Sequence, residues 1–260
     1  MGDGPGSSDA RRNFPDHFST VAAAYAEFRP RYPEAVFDLL ADLAPARRLA
    51  WDCATGNGQA AGPLAARFER VVATDASREQ LAQAAPRANI EYRVARAEAS
   101  GLPDACADLV TVAQALHWFD VAAFHAEAER VLVPGGVLAE WSYGTPSAEP
   151  PVAAPLGVFY AQTVGPYWPP TRVLVDAGYR DIPFPFARLP VPDLALQADL
   201  SLRELLGYVD TWSAVQRFRA DRGSDPLPAF ANELAAVWGP PERRRHIRWP
   251  LTLRVGRRPA

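Results

Sequence analysis

The sequence contains no lysine, so its basic side chains other than four histidines are all arginine. That absence excludes Schiff-base enzymes, including those that use pyridoxal phosphate, and any phosphate-binding loop built around a lysine. Cysteine is scarce too: Cys53 and Cys106 match neither a disulfide framework nor a paired metal-binding spacing. Long apolar runs are missing, none reaching the roughly 20 residues of a membrane helix. Residues 1–12 are rich in Gly, Ser and Asp and lack the apolar centre of a secretory leader, and Gly6 stands where a myristoylation signal needs Ser or Thr. They are expected to form a disordered tail on a cytoplasmic protein. Excess charge is also absent: the formal net charge of −3 gives no electrostatic reason for a nucleic-acid or anionic-membrane partner. The basic run Glu242-Arg243-Arg244-Arg245-His246 reads as a solvated loop on such a chain.

What is present is apolar material with a regular rhythm. Hydrophobic residues make up 48% of the chain, enough for one sizeable core without disulfides or a structural metal. Small and aromatic residues recur at helical spacing over 18–28, and Arg29-Pro30-Arg31-Tyr32-Pro33 ends that helix, because a residue before proline is pushed out of helical geometry. A second helix is expected over 33–43, with proline in its first turn. Strands expected over 48–53, 70–74, 90–95, 108–113 and 137–143 then alternate with helices over about 59–68, 77–85 and 121–132. This alternation implies a parallel sheet covered on both faces. Past Gly144, prolines and aromatics replace the rhythm, with helices expected over 155–164, 170–177, 201–219 and 227–238. A final strand over 246–255 alternates Ile247, Trp249, Leu251 and Leu253 inward. The expected organisation is a core of 13–143 and 241–260 carrying an inserted cap, 144–240.

The stretch Trp51-Asp52-Cys53-Ala54-Thr55-Gly56-Asn57-Gly58-Gln59 carries an apolar strand into a turn with two glycines and then into a helix. Glycines let a ligand approach the backbone closely, and a helix N-terminus favours negative charge. Asp75 ends the second strand about 20 residues on, where a carboxylate accepts both ribose hydroxyls of an adenosine cofactor. The pair points to an adenosine-containing cofactor of nicotinamide or S-adenosyl type. Asp52 reads as part of the ligand loop; the alternative is a strand-end carboxylate that caps a turn.

Four segments separate those cofactors by resemblance. Asp52-x-Ala54-x-Gly56-x-Gly58 resembles the glycine-rich first motif of class I S-adenosylmethionine-dependent methyltransferases, more narrowly the methyltransferase type 11 group. Val72-Ala73-Thr74-Asp75 resembles their ribose-binding acidic motif, and Ala97-Glu98-Ala99-Ser100-Gly101-Leu102-Pro103 their adenine-flanking segment. The run from Asp108 to Phe119, with Arg130-Val131-Leu132-Val133-Pro134-Gly135-Gly136, resembles their fourth strand, substrate-side loop and fifth-strand entry. Tyr25-x-x-Phe28-Arg29-Pro30-x-Tyr32-Pro33, Thr211-Trp212-Ser213-Ala214 and Arg254-Val255-Gly256-Arg257 resemble the trans-aconitate methyltransferase-like branch, so the likeness spans 18–257. Ala54 departs from the pattern, which carries glycine there; tighter packing near the methionine moiety is expected. The resemblance implies a Rossmann-like, doubly wound α/β sheet of seven strands, the last antiparallel, with a helical and loop cap. It implies S-adenosyl-L-methionine as cofactor and a small-molecule methyl acceptor. It assigns cofactor contacts to Tyr25, Arg29, Asp52, Ala54, Thr55, Gly56, Gly58, Gln59, Asp75, Ala76, Ala97, Glu98 and Gln114.

The remaining candidates lie beyond those motifs. His117 and Trp118 follow the fourth strand, where open α/β sheets bind ligands; His117 is a candidate general base or a pocket wall. Tyr143 joins them as a substrate contact. His17, His125 and His246 have no metal-like spacing, so no metal is expected, and Cys53 reads as a packed small residue. Tyr143, Phe159, Tyr160, Tyr167, Trp168, Tyr208 and Trp212 are candidates for an apolar lid or for ordinary core. Arg29, Arg172 and Arg217 suit a small carboxylic acid acceptor, hence O-methylation. The alternatives are a non-catalytic S-adenosylmethionine-binding protein and a nicotinamide-dependent oxidoreductase, although the short-chain type of the latter needs a lysine. A nucleic-acid methyltransferase is disfavoured by charge and by the missing Asn-Pro-Pro-aromatic motif, which Trp168-Pro169-Pro170 does not match.

Overall fold

The computed structural model describes residues 28–260, so the expected tail, nearly all of the helix over 18–28, and Tyr25 lie outside the described residues. Helix α1 (Glu34–Leu43) follows directly on Pro33 and buries Val36, Phe37, Leu40 and Ala41 along one side. Strands and helices then alternate: β1 (Leu49–Cys53), α2 (Ala61–Ala65), β2 (Arg70–Asp75), α3 (Arg78–Leu81), β3 (Ile90–Val94), β4 (Ala107–Ala113), α4 (Val121–Val131) and β5 (Leu132–Tyr143). After β5 come α5 (Pro150–Val158), α6 (Arg172–Asp176), β6 (Leu194–Leu200), α7 (Leu202–Asp210), α8 (Ser213–Arg222), α9 (Leu227–Trp238) and β7 (Arg245–Arg257). The seven strands form one sheet in the order β3-β2-β1-β4-β5-β7-β6. Strands β1 to β5 pair in parallel, and β7 runs antiparallel to both β5 and β6. This is the Rossmann-like arrangement that the resemblance implies, with the last strand antiparallel.

Side chains on a strand alternate between faces, so a sheet covered on both sides needs apolar residues in continuous runs. Ala50, Val71, Ala73, Leu109, Val137, Ala139 and Trp141 pack on one face against α1, α2, α5 and α7 to α9. Trp51, Cys53, Val72, Val110, Val112 and Leu138 pack on the other, against α4, α6 and Tyr179. The bases of the strands are tied by Asp108, which is fully buried and accepts hydrogen bonds from the backbone N–H groups of Arg48 (2.9 Å) and Leu49 (3.1 Å).

Several expectations need correction. Strand β6 was not anticipated: the proline-rich flanks hide it, and Leu196 alone of its seven residues is buried, as befits an edge strand. The expected cap, 144–240, thus also supplies a strand of the core sheet. The single helix expected over 201–219 is two helices, because Thr211 Oγ1 donates to Tyr208 O (2.6 Å) and Trp212 turns extended before α8. Helix α5 starts at Pro150, where two prolines occupy the first turn, and continues into a π turn, Phe159–Thr163. The basic run is not wholly solvated: Arg245 is buried, donating to Trp238 O (2.7 Å) and paired with Glu149 (2.5 Å). Among the described residues no helix is long and apolar enough to cross a membrane, and no group of three or more His, Cys, Asp and Glu gathers as a metal site.

A buried ionic cluster joins β5, β7 and α4. Glu140 is fully buried; its Oε1 lies 2.6 Å from His125 Nε2 and its Oε2 lies 3.4 Å from Arg254 Nη2. Arg254 also donates to the carbonyls of Tyr179 and Pro183. Removing one member of such a cluster leaves the others desolvated and unpaired. Arg254→Met is expected to lower unfolding stability by about 3–5 kcal/mol, read from urea denaturation; a loss under about 1 kcal/mol would mean that water reaches Glu140.

Candidate active site

Strand order reverses between β1 and β4, so the loops leaving their C-terminal ends diverge and open a crevice, the place where open α/β sheets bind ligands. A cavity of about 510 Å³ occupies it, lined from the ends of β1 to β4, from α3 and from the cap residues Ser213 and Arg217. The turn after β1 is held in left-handed backbone, with φ of 53° at Ala54, 56° at Gly56 and 86° at Gly58. A Cβ at Gly58 would stand 2.8 Å from Tyr92 Oη, so glycine there lets the turn pack against β3. Ala54 takes a left-handed conformation that a side chain disfavours.

Asp75 closes this turn. Its Oδ2 accepts from Gly56 N–H (2.8 Å) and its Oδ1 from Ser77 N–H (2.8 Å), which leaves each oxygen a further lone pair toward the cavity it lines. Burial raises its pKa above the ordinary carboxyl value, and the backbone donors hold it down. Behind it, Asp52 is fully buried and accepts from Thr55 Oγ1 (2.5 Å) and Thr111 Oγ1 (2.7 Å), spanning the loop and β4. Burial pushes its carboxyl up to about 6 against those two hydroxyls.

A smaller cavity of about 90 Å³ adjoins the larger through the shared wall of Gln114, Trp118 and Ser213. Gln114 has φ 57°, and its amide is tied to the end of β5: Oε1 accepts from Tyr143 N–H (2.8 Å) and Nε2 donates to Tyr143 O (3.2 Å). Two guanidinium groups line the small cavity. Arg29 donates to Tyr143 Oη (2.8 Å) and Thr211 Oγ1 (2.9 Å). Arg172 stacks on Trp168 at 4.5 Å, and its Nε donates to Asp176 (2.9 Å) and Tyr160 Oη (3.0 Å). His117 lines the same cavity, its Nδ1 2.9 Å from Tyr179 Oη. Burial, and then the Arg172 charge, push the His117 imidazole down to about 4, so the ring is neutral at pH 7.

Of the expected cofactor contacts, Ala54, Thr55, Gly56, Gln59, Asp75, Ala76, Ala97, Glu98 and Gln114 line the large cavity together. Three do not. Asp52 is sealed behind the loop, Gly58 faces Tyr92, and Arg29 is drawn into the smaller cavity by Tyr143 and Thr211. Glu98 Oε1 accepts from Asp120 N–H (3.1 Å), which ties the segment after β3 to the start of α4. Trp118 lines both cavities, and His117 and Tyr143 the smaller. Among the lid candidates, Tyr143, Trp168, Tyr208 and Trp212 reach the small cavity, while Phe159 stacks on Phe230 in the core at 4.1 Å. Of the three candidate arginines, Arg217 lines the larger cavity instead. Tyr179 went unnoticed, since nothing in Gly178-Tyr179 marks it as facing the β4 loop.

A family described as a methyltransferase domain, of type 11, matches residues 51–139. A Dictyostelium discoideum protein named as a methyltransferase is 34% identical over 231 residues, covering 86% of this chain and 87% of that protein. A solved structure from Anaeromyxobacter dehalogenans, described as a type II methyltransferase, shares 45% identity at a TM-score of 0.84 and covers 89% of this chain and 99% of that one. A structure from Bacillus halodurans, described as a methyltransferase, has 22% identity and a TM-score of 0.50, covers 87% of this chain and 99% of its own, and shares the fold alone.

The buried Asp52 makes stability depend on pH. Its folded pKa of about 6 stands above the ordinary 3.8, so the folded chain binds the extra proton in between, and stability is lost as pH rises through that window. Asp52→Asn removes this component. Relative to the parent, the variant is expected to gain about 2–3 kcal/mol between pH 4 and pH 7, read from urea midpoints at both values; an unchanged difference would show that Asp52 is already ionised at the lower pH.

Proposed function

The chain belongs to the class I S-adenosylmethionine-dependent methyltransferases of type 11, and from that premise we propose that it methylates a carboxylate oxygen of a small molecule held in the smaller cavity. The observation that carries the acceptor class is the pair of guanidinium groups, Arg29 and Arg172, on the walls of that cavity. Both bonds from Arg172 use Nε, and among the described residues its two terminal nitrogens have no partner, so they are left for an anion. Bonds from such groups to a carboxylate are charge-assisted and among the strongest available.

The large cavity suits S-adenosylmethionine. Gly56 brings backbone without a side chain to the cavity wall, and Asp75 retains acceptor capacity for ribose hydroxyls. When bound, the cofactor would supply a sulfonium methyl carbon open to in-line attack by a carboxylate oxygen, the O–C bond of a methyl ester forming as the C–S bond breaks to leave S-adenosylhomocysteine, with no proton to remove. The residues of this chain then have three tasks. Arg29 and Arg172 orient the acceptor, a positioning effect that supplies roughly 7–11 kcal/mol in favourable cases. Tyr143, Trp168, Tyr208 and Trp212 exclude water, which strengthens the charged contacts. Gln114 and Trp118, common to both cavities, form the passage along which acceptor and methyl donor meet. The segment 144–240, through Trp168, Arg172, Tyr208 and Trp212, acts as the acceptor-side cap.

The test is turnover with S-adenosylmethionine and a panel of small carboxylic acids, phenols and amines. Base-labile methyl esters formed in step with S-adenosylhomocysteine support this reading, and turnover with amines alone contradicts it. With an acid that turns over, Arg172→Gln is expected to raise the KM for the acid roughly 10- to 100-fold while leaving the KM for S-adenosylmethionine unchanged.

A further inference from the structure

We infer that Tyr179 is a positioning residue that holds His117 with its proton on Nε2, so that His117 offers the acceptor an N–H donor and takes no proton from it. Tyr179 is fully buried, and its hydroxyl lies 2.9 Å from His117 Nδ1. The backbone N–H of His117 also donates to the phenol oxygen, which leaves the phenolic proton with Nδ1 as its acceptor. Were Nδ1 protonated, it would donate to the phenol oxygen and the phenolic proton would be stranded in the core. With Nδ1 bare, the phenol donates and every buried polar atom of the pair is satisfied. A stranded buried donor is penalised enough to favour the second arrangement by roughly tenfold or more. The proton of the neutral imidazole then resides on Nε2, which among the described residues has no protein partner and belongs to a ring lining the small cavity.

The phenol is held from the sheet. Tyr179 follows α6 in left-handed backbone at φ 57°, after Gly178 at φ 60°. A Cβ at Gly178 would stand 2.6 Å from Thr252 Oγ1, so the turn lies flat on β7. The Tyr179 carbonyl accepts from Arg254, the arginine of the buried Glu140 cluster. Donors therefore converge on the small cavity from three elements: Arg29, Arg172 and the Nε2–H of His117. Such a cavity fits an acceptor that arrives already deprotonated. That last step rests on the proposed methylation of a carboxylic acid; the tautomer of His117 does not.

The tautomer is read directly by long-range ¹H–¹⁵N correlation spectra of histidine-labelled protein, which distinguish protonated from bare ring nitrogens. Four histidines make the spectrum tractable, and the signal missing in His117→Gln assigns residue 117. The expected result is a protonated Nε2 and a bare Nδ1 in the parent protein, with that distinction reduced or averaged in the ring-preserving variant Tyr179→Phe. A protonated Nδ1 in the parent overturns the proposal, as does a Tyr179→Phe spectrum identical to it. A kinetic arm uses whichever panel compound turns over. His117→Gln, whose amide keeps a donor near the Nε2 position but cannot act as a base, is expected to retain kcat within about tenfold, whereas loss by 10²–10⁴, the range of general-base catalysis, overturns the donor role. Failure of every acid in the panel would sink the acceptor class while leaving the tautomer to be read by itself.

Discussion

The reversal of strand order between β1 and β4 is the constraint from which the rest follows. In a parallel sheet wound outward from its middle, the loops of the two central strands must leave in opposite directions. The gap between them cannot be filled by the chain's own crossovers, so a cavity remains at the strand ends. Two carboxylates in that region keep the gap open and shaped. Asp52 braces the β1 turn against β4 through Thr55 and Thr111, and Asp75 braces the same turn against the end of β2 through Gly56. The two carboxylates are desolvated in doing so, and both have raised pKa values as the physical trace of that demand.

The second cavity depends on the first. Gln114 sits at the end of β4 in left-handed backbone and spends its amide on the main chain of Tyr143, where β5 ends. Backbone strain of this kind persists where surrounding contacts over-determine it. Here it holds the shared wall between the two cavities, with Trp118 and Ser213 completing it from the β4 loop and from α8. The buried Glu140–Arg254 cluster extends the same logic through the sheet, fixing the Tyr179 turn beneath His117.

The parallel half of the fold was legible because both faces of β1, β2, β4 and β5 are buried, which leaves short apolar runs between helical stretches that the eye can separate. Beyond Tyr143 the physical signal changes. Strand β6 lies on an edge with little buried surface, and α7 and α8 are divided by a Thr211 hydroxyl bond that no periodicity reveals. The β1 turn was legible for the same reason as the strands: its glycines and the Asp75 that closes it are demanded by local backbone geometry, which spacing records. Asp52 was misplaced because a strand-end carboxylate looks alike whether it faces a ligand or a pair of threonine hydroxyls. Tyr179 was opaque, and Arg29, named for both the cofactor and an acidic acceptor, was not assigned to either, since their positions depend on Thr211, Tyr143 and Arg254, partners far away in the chain.

Whether the large cavity holds S-adenosylmethionine is read by thermal unfolding with S-adenosylmethionine, S-adenosylhomocysteine, NADH and NADPH. Each ligand at about a hundred times its dissociation constant would stabilise a folded binder by about 2.7 kcal/mol, a midpoint rise of roughly 5–10 °C for a chain of this size. A rise with the two S-adenosyl compounds and none with the nicotinamides is the predicted result. A rise with a nicotinamide alone would contradict the cofactor assignment and leave only the fold standing.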